Sequence, residues 1–402
     1  MEFQRILERI DPDELVDLTR KLIQIPSVYR PKEGGNEEKV AEFVAGYLRE
    51  IGLQVITEEV APGRPNVIAT LEGSGPGRCL LFEGHTDVVT EGDASEWTYD
   101  PFAAEVVDGR IYGRGAADTK NNLAAAIIAV KALKESGYPF RGKVLLAIPV
   151  DEEGMMIGIK HFIERGHADD VDAAIICEPE ENQICITQKG AMRAVVRTLG
   201  KMAHGAMPLS GINPIPHLAK IIVALEELER REKERHGKHA YLGYPSITPT
   251  IVQAPVEGEP QINVIPREAY MTLDIRTVPG QDHAELETEI RRILADLAAE
   301  DPDFKATLEV IEERPWTETD RDEPIVRAVH EAVETVTGRQ PVYNGVPGAT
   351  DGTFLWAWKD IPIVTTGAGD RLIPHQKDEW CSIEQLVETA KIYAVAAARF
   401  LS

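Results

Sequence analysis

Three short runs, 79–84, 143–150 and 173–177, are apolar almost from end to end, and segments of helical spacing stand around them. A strand that is apolar on both sides must be covered on both sides, which only helices packed on each face of a sheet achieve. The run 66–71 is of the same kind. Apolar residues recur every three to four positions at Leu15, Leu18, Leu22 and Ile23, at Val40, Phe43, Val44 and Leu48, and along 119–136, where Gly137 is a natural stop. The expected class is therefore α/β, with a sheet flanked by helices.

The pattern changes near residue 188. A strand over 190–200, a long helix over 214–235, strands over 247–254 and 264–276, a helix over 282–299 and a strand over 304–312 follow in turn. That β-α-β-β-α-β order is the ferredoxin-like split unit. After Pro315 the α/β pattern resumes with a helix over 323–337, a Gly-rich loop over 345–352, a strand over 361–366 and a helix over 383–400. The reading is one domain in two chain segments, 1–187 and 314–402, with a smaller α+β domain, 188–313, inserted. A length of 402 residues agrees with two domains.

The chain carries 43 Lys plus Arg against 67 Asp plus Glu, a net charge of −24. Nucleic acid and anionic membrane both require a basic face, so neither is expected as a partner. Cys79, Cys177, Cys185 and Cys381 show no CxxC spacing and no disulfide density, which favours a reducing compartment. Met1-Glu2-Phe3-Gln4-Arg5 lacks a basic-then-apolar signal pattern. No apolar run approaches the roughly 20 residues that span a bilayer. A cytoplasmic location is expected.

The chemistry concentrates where these strands end. In Gly84-His85-Thr86-Asp87, Asp87 is placed to fix the tautomer of His85, an arrangement common behind metal-binding histidines, although the two could simply satisfy each other. Asp118 stands at a Gly-rich turn just before a helix, a place for a ligand-binding acid and equally for an N-cap. Asp151-Glu152-Glu153 closes a buried strand with three acids that repel unless a cation compensates them. Glu178 ends another strand, and His375 follows a Gly-containing loop. Two histidines and three carboxylates, His85, Asp118, Glu153, Glu178 and His375, make a mixed nitrogen and oxygen set that suits zinc, cobalt or manganese. They suffice for two ions if one carboxylate bridges. His204, at a strand-to-loop junction of the inserted domain, is poorly explained by packing.

With these motifs in order, together with 203–208, 263–266, 274–276, 348–352 and 375–380, the chain resembles the dinuclear-zinc metallopeptidases and deacylases. That family includes acetylornithine deacetylase, succinyl-diaminopimelate desuccinylase, aminoacylase and glutamate carboxypeptidase. The resemblance implies a zinc-peptidase-like catalytic domain with a mixed sheet flanked by helices, and an inserted ferredoxin-like α+β lid that also makes a homodimer. It implies one ion at His85 and Glu178, another at Glu153 and His375, and Asp118 between them. Asp87 would orient His85, Glu152 would be the general base, and His204 would donate to the oxyanion of the partner's site. Arg276 and Asn263 match substrate-contacting positions, and Gly348 lies in a substrate-side loop. The implied substrate is an N-acyl amino acid or short peptide, and Glu178 rather than Asp leans toward the deacylases. The alternatives are a metallo-dipeptidase or carboxypeptidase and, in another class, a non-enzymatic binder, against which the intact Glu152 argues. Two departures bear on the pocket. Asn121-Asn122 stand where small residues are usual, and Met155-Met156 stand where a Gly-rich turn is usual.

Overall fold

The structure, a computed structural model, describes residues 3–402. The chain divides into two compact units, 1–187 with 319–346 and 350–402, and 188–318 with 347–349.

In the first unit the sheet runs Gln54–Ala61, Arg64–Glu72, Lys143–Ile148, Cys79–Glu83, Ala173–Cys177, Ile363–Thr366 and Ile184–Gln188. Its centre is parallel: Leu81 pairs with Leu145, Phe82 with Ile175, and Val364 with Ile175. The strands toward Gln54–Ala61 are antiparallel, so the sheet is mixed. Both faces are covered, as the continuous apolar runs require. Leu81, Leu145 and Ile176 pack with Phe162 and Phe354, from the helices Ile157–Glu164 and Gly352–Lys359. Phe82 points the other way, 5.4 Å ring to ring from Tyr393 of the helix Ile383–Phe400. That helix packs on Lys120–Glu135 and Pro324–Thr337. The parallel strands all end at one edge, and the turns leaving that edge carry His85, Glu152, Glu153, Glu178 and, after a longer loop, His375. An open α/β sheet places its ligands at this edge.

The second unit follows the β-α-β-β-α-β order. Its antiparallel sheet runs Ser246–Gln253, Glu268–Thr277, Gly190–Leu199, Ala306–Arg314. Burial alternates strictly along Glu268–Thr277, the period-two signature of a sheet covered on one face. Met192, Ala194, Val196, Leu273 and Ile275 meet Leu218, Ile221 and Leu225 of Pro214–His236 and Ile290 of His283–Glu300. The expected strand over 264–276 is broken: Val264–Ile265 pairs with Ala203–His204, and the sheet strand starts only at Glu268. Pro266, which has no N–H to give a ladder, stands at the break.

Candidate metal centre

His85 lies two residues past the strand Cys79–Glu83 and is fully buried. Its Nδ1 is 2.9 Å from the carbonyl oxygen of Asp87, which can only accept, so Nδ1 carries the proton and Nε2 keeps its lone pair. Nε2 is buried with no hydrogen-bond partner. It faces Asp118 Oδ1 at 3.3 Å, Glu178 Oε1 at 3.5 Å and Glu152 Oε2 at 4.0 Å. The Asp87 carboxylate, 3.5 Å from Nδ1, also accepts the backbone N–H groups of Glu152 (3.1 Å) and Glu153 (3.0 Å). Asp87 therefore orients His85 chiefly through its carbonyl and shapes the acidic turn through its carboxylate. Burial would raise the Asp87 pKa, but His85 and these two N–H groups hold it below the ordinary range.

Asp118 does not cap the helix that follows. The helix starts at Lys120, and Thr119 occupies the cap position without a side-chain bond. The Asp118 carboxylate instead spans two imidazoles, with Oδ1 toward His85 and Oδ2 3.3 Å from His375 Nε2. His375 Nε2 is also 2.9 Å from Glu153 Oε1. Among the described residues two groups bring their ligand atoms within 4.8 Å of one another: His85, Asp118 and Glu178, and Asp118, Glu153 and His375. Asp118 belongs to both. All five residues singled out from the sequence stand in these groups.

The electrostatics show a cluster short of positive charge. Burial and the Asp118 charge raise the pKa of both Glu178 and Glu153. The carboxylates of Asp118 and Glu153 raise His375 to about 10. Burial opposes ionisation of Asp118, but His375 and His85 pull its pKa well down. An orphaned imidazole nitrogen among buried carboxylates fits divalent cations. Asp151, the first acid of its triplet, has its own cation, since Arg64 Nη2 lies 2.7 Å away. Its Oδ2 accepts the Met155 N–H at 2.9 Å, so it folds the turn.

Two carboxylates went unread in the sequence. Glu83 and Asp351 are fully buried, and none of their oxygens has a hydrogen-bond partner. Burial drives Glu83 up to about 8, and burial plus the Glu83 charge drive Asp351 well above the usual range. Glu83 had a signal, an acid two residues before His85 in an apolar strand. Asn121 and Asn122 are buried, and their side-chain amides both donate to the Ala368 carbonyl at 3.0 Å. Met156 is buried with φ +53°, and Met155 is exposed.

The other candidates lie in the second unit. His204 and Asn263 share one ribbon: His204 pairs with Val264, and Gly205 N–H donates to the Asn263 carbonyl at 2.6 Å. Both side chains are exposed. The N–H of Ala206 donates to His204 Nδ1 at 3.0 Å, which puts the ring proton on Nε2. Arg276 is half-buried and forks onto Asp274 at 2.6 and 3.1 Å. Gly348 lies in the 347–349 segment grouped with this unit.

Comparison with known proteins gives this geometry a family. Residues 81–399 match peptidase family M20/M25/M40. The chain belongs to that family. It is 32% identical over 395 residues to succinyl-diaminopimelate desuccinylase of Methylobacterium radiotolerans, covering 95% of each chain. It is 30% identical over 403 residues to N-formyl-4-amino-5-aminomethyl-2-methylpyrimidine deformylase of Bacillus subtilis, covering 94% of this chain and 93% of that one. A family metallo-carboxypeptidase of Sulfolobus solfataricus shares the fold, with a TM-score of 0.80, 22% identity, and 96% and 99% of the two chains covered. As an M20/M25/M40 member, the protein is a metal-dependent amide hydrolase.

Proposed function

We propose that this hydrolase removes an N-acyl group from an amino acid or related amine. The observation that carries the reading is the pair of ligand groups sharing Asp118, with Glu152 buried beside them. The two similar curated relatives, named as a desuccinylase and a deformylase, support a deacylase over a peptidase. The ligands on this reading are His85 and Glu178 on one side and Glu153 and His375 on the other, with Asp118 bridging. Two divalent ions, zinc first and cobalt or manganese next, would supply Lewis acidity to activate a water and polarise the scissile carbonyl.

The residues do the rest. Glu152 takes a proton from the attacking water and returns it to the leaving nitrogen, which an amide requires because an amine anion is a poor leaving group. Asp87 holds the turn that presents Glu152 and keeps His85 in its Nδ1–H tautomer. His204, with its proton on Nε2, would donate to the oxyanion. Arg276 is suited to the substrate carboxylate. Asn263 and Gly348 would line the substrate side. In the same reading 1–187 and 314–402 form the catalytic domain of a cytoplasmic enzyme. Residues 188–313 form a lid that makes the homodimer and lends His204 to the partner.

The test is a hydrolysis screen of the metal-loaded protein against N-acetyl, N-succinyl and N-formyl amino acids and dipeptides, read by amine release. Turnover of an acylated amino acid is expected. Turnover of dipeptides alone would replace this reading with a dipeptidase.

A further inference from the structure

Glu379 lies four residues beyond His375 and is fully buried. One of its oxygens, Oε1, accepts two consecutive backbone N–H groups, Ala117 at 2.8 Å and Asp118 at 3.0 Å. The other, Oε2, accepts Nη1 of Arg114 at 2.6 Å. Its carbonyl accepts the N–H of Gly113 at 2.8 Å. Arg114 in turn donates to the Thr90 carbonyl at 3.2 Å and lies over the Trp97 ring at 5.2 Å. One side chain thus fastens the segment that carries His375 to the segment that carries Asp118. It does so through the N–H of Asp118 itself, which sets the direction in which that carboxylate leaves the backbone.

The far end of the His375 loop is fastened separately. Arg371 Nε is 2.6 Å from Glu180 Oε2, two residues past Glu178. Asn122 pairs with Ala368 in both directions, its Nδ2 donating to the carbonyl at 3.0 Å and its Oδ1 accepting the N–H at 2.7 Å. These bonds hold the start of the loop. They leave Glu379 as the side chain that fixes its end against Asp118.

We propose that Glu379 is a positioning residue for the metal centre: it sets Asp118 and His375 in register, so that the Asp118–Glu153–His375 group can hold its ion. The proposal rests on the ligand assignment given above. Glu379→Gln keeps the shape but fails chemically. An amide has one acceptor oxygen and a donor NH2, so it cannot accept from both the Arg114 guanidinium and the two N–H groups.

Metal-free full-length protein is titrated with Co2+, followed by visible absorption, for wild type, Glu379→Gln, Glu379→Asp and, as the reference for a lost ligand, Glu153→Ala. Wild type should take up two equivalents. Glu379→Gln should weaken the second equivalent about 10–100-fold and the first, which Asp118 also serves, by less, with an altered visible band. Glu379→Asp keeps the charge, shortens the reach, and should also weaken the second, which covers the case of a Gln variant that does not fold. Wild-type affinity and spectrum for both equivalents in both variants would overturn the proposal alone. So would equal weakening of both equivalents. Uptake of fewer than two equivalents by wild type would overturn the metal reading and this proposal with it.

Discussion

His85 has one ring nitrogen satisfied by a backbone carbonyl and the other aimed, unpartnered, at carboxylates. That asymmetry follows from two residues of spacing between His85 and Asp87. Glu152 stands in the same cluster, and the sharpest prediction belongs to it: Glu152→Gln should lower kcat by about 10²–10⁴-fold while both metal equivalents remain bound, by elemental analysis. Full turnover in that variant would remove the proposed base. Asp87→Asn should weaken metal binding about 10–100-fold, because a single amide oxygen replaces the two carboxylate oxygens that take the Glu152 and Glu153 N–H groups. At this scale the sequence exposed His85, Glu153 and Glu178 because each sits where an apolar run has just ended, and Asp118 and His375 because each follows a Gly-containing turn or loop. Glu379 was hidden because its partners are backbone N–H groups and an arginine 265 positions away. Asp118 could be read as a cap until the helix was seen to start past it.

Elements were legible in proportion to their burial. Cys79–Glu83 and Ala173–Cys177 are buried at every position, so each reads as a continuous apolar run. Gln54–Ala61, half exposed with Glu58 and Glu59 in its middle, gives no such run and went unread. The eight-residue helices Ile157–Glu164 and Gly352–Lys359 are too short to show a period. Leu81, fully buried between strand neighbours and the helices on its face, tests how much the sheet depends on that packing. Leu81→Ala should cost about 2–5 kcal/mol, read as a lower denaturation midpoint of the metal-free protein. A change below about 1 kcal/mol would show that the face collapses around the loss.

At the level of the whole molecule, the charge of −24 has two parts. Most of it is dispersed surface. A few acids, Asp118, Glu153 and Glu178 among them, are gathered where the cations on hand are histidines. Removal of the metals by a chelator should therefore abolish activity and lower the thermal midpoint, and zinc or cobalt should restore both, since an ion that binds only the folded chain stabilises it. Hydrolysis that survives exhaustive chelation would contradict the assignment. Among the described residues no helix is long and apolar enough to cross a membrane. If the proposed dimer lends His204 across subunits, His204→Ala and Glu152→Gln subunits should each be inactive alone and regain activity when mixed, because the intact Glu152 site then receives the other subunit's His204. Mixed dimers without activity would place His204 at its own subunit's site.

One carboxylate, Asp118, reaches both histidines. On the proposed assignment this shared ligand would make the two halves thermodynamically inseparable. Whatever the first ion does to the affinity of the second, the second does to the first by the same factor. Because each ion would withdraw charge from the Asp118 carboxylate that the other also needs, the factor should disfavour the pair. The last ion in should then be the first to leave, and the availability of metal would set the working fraction of the enzyme.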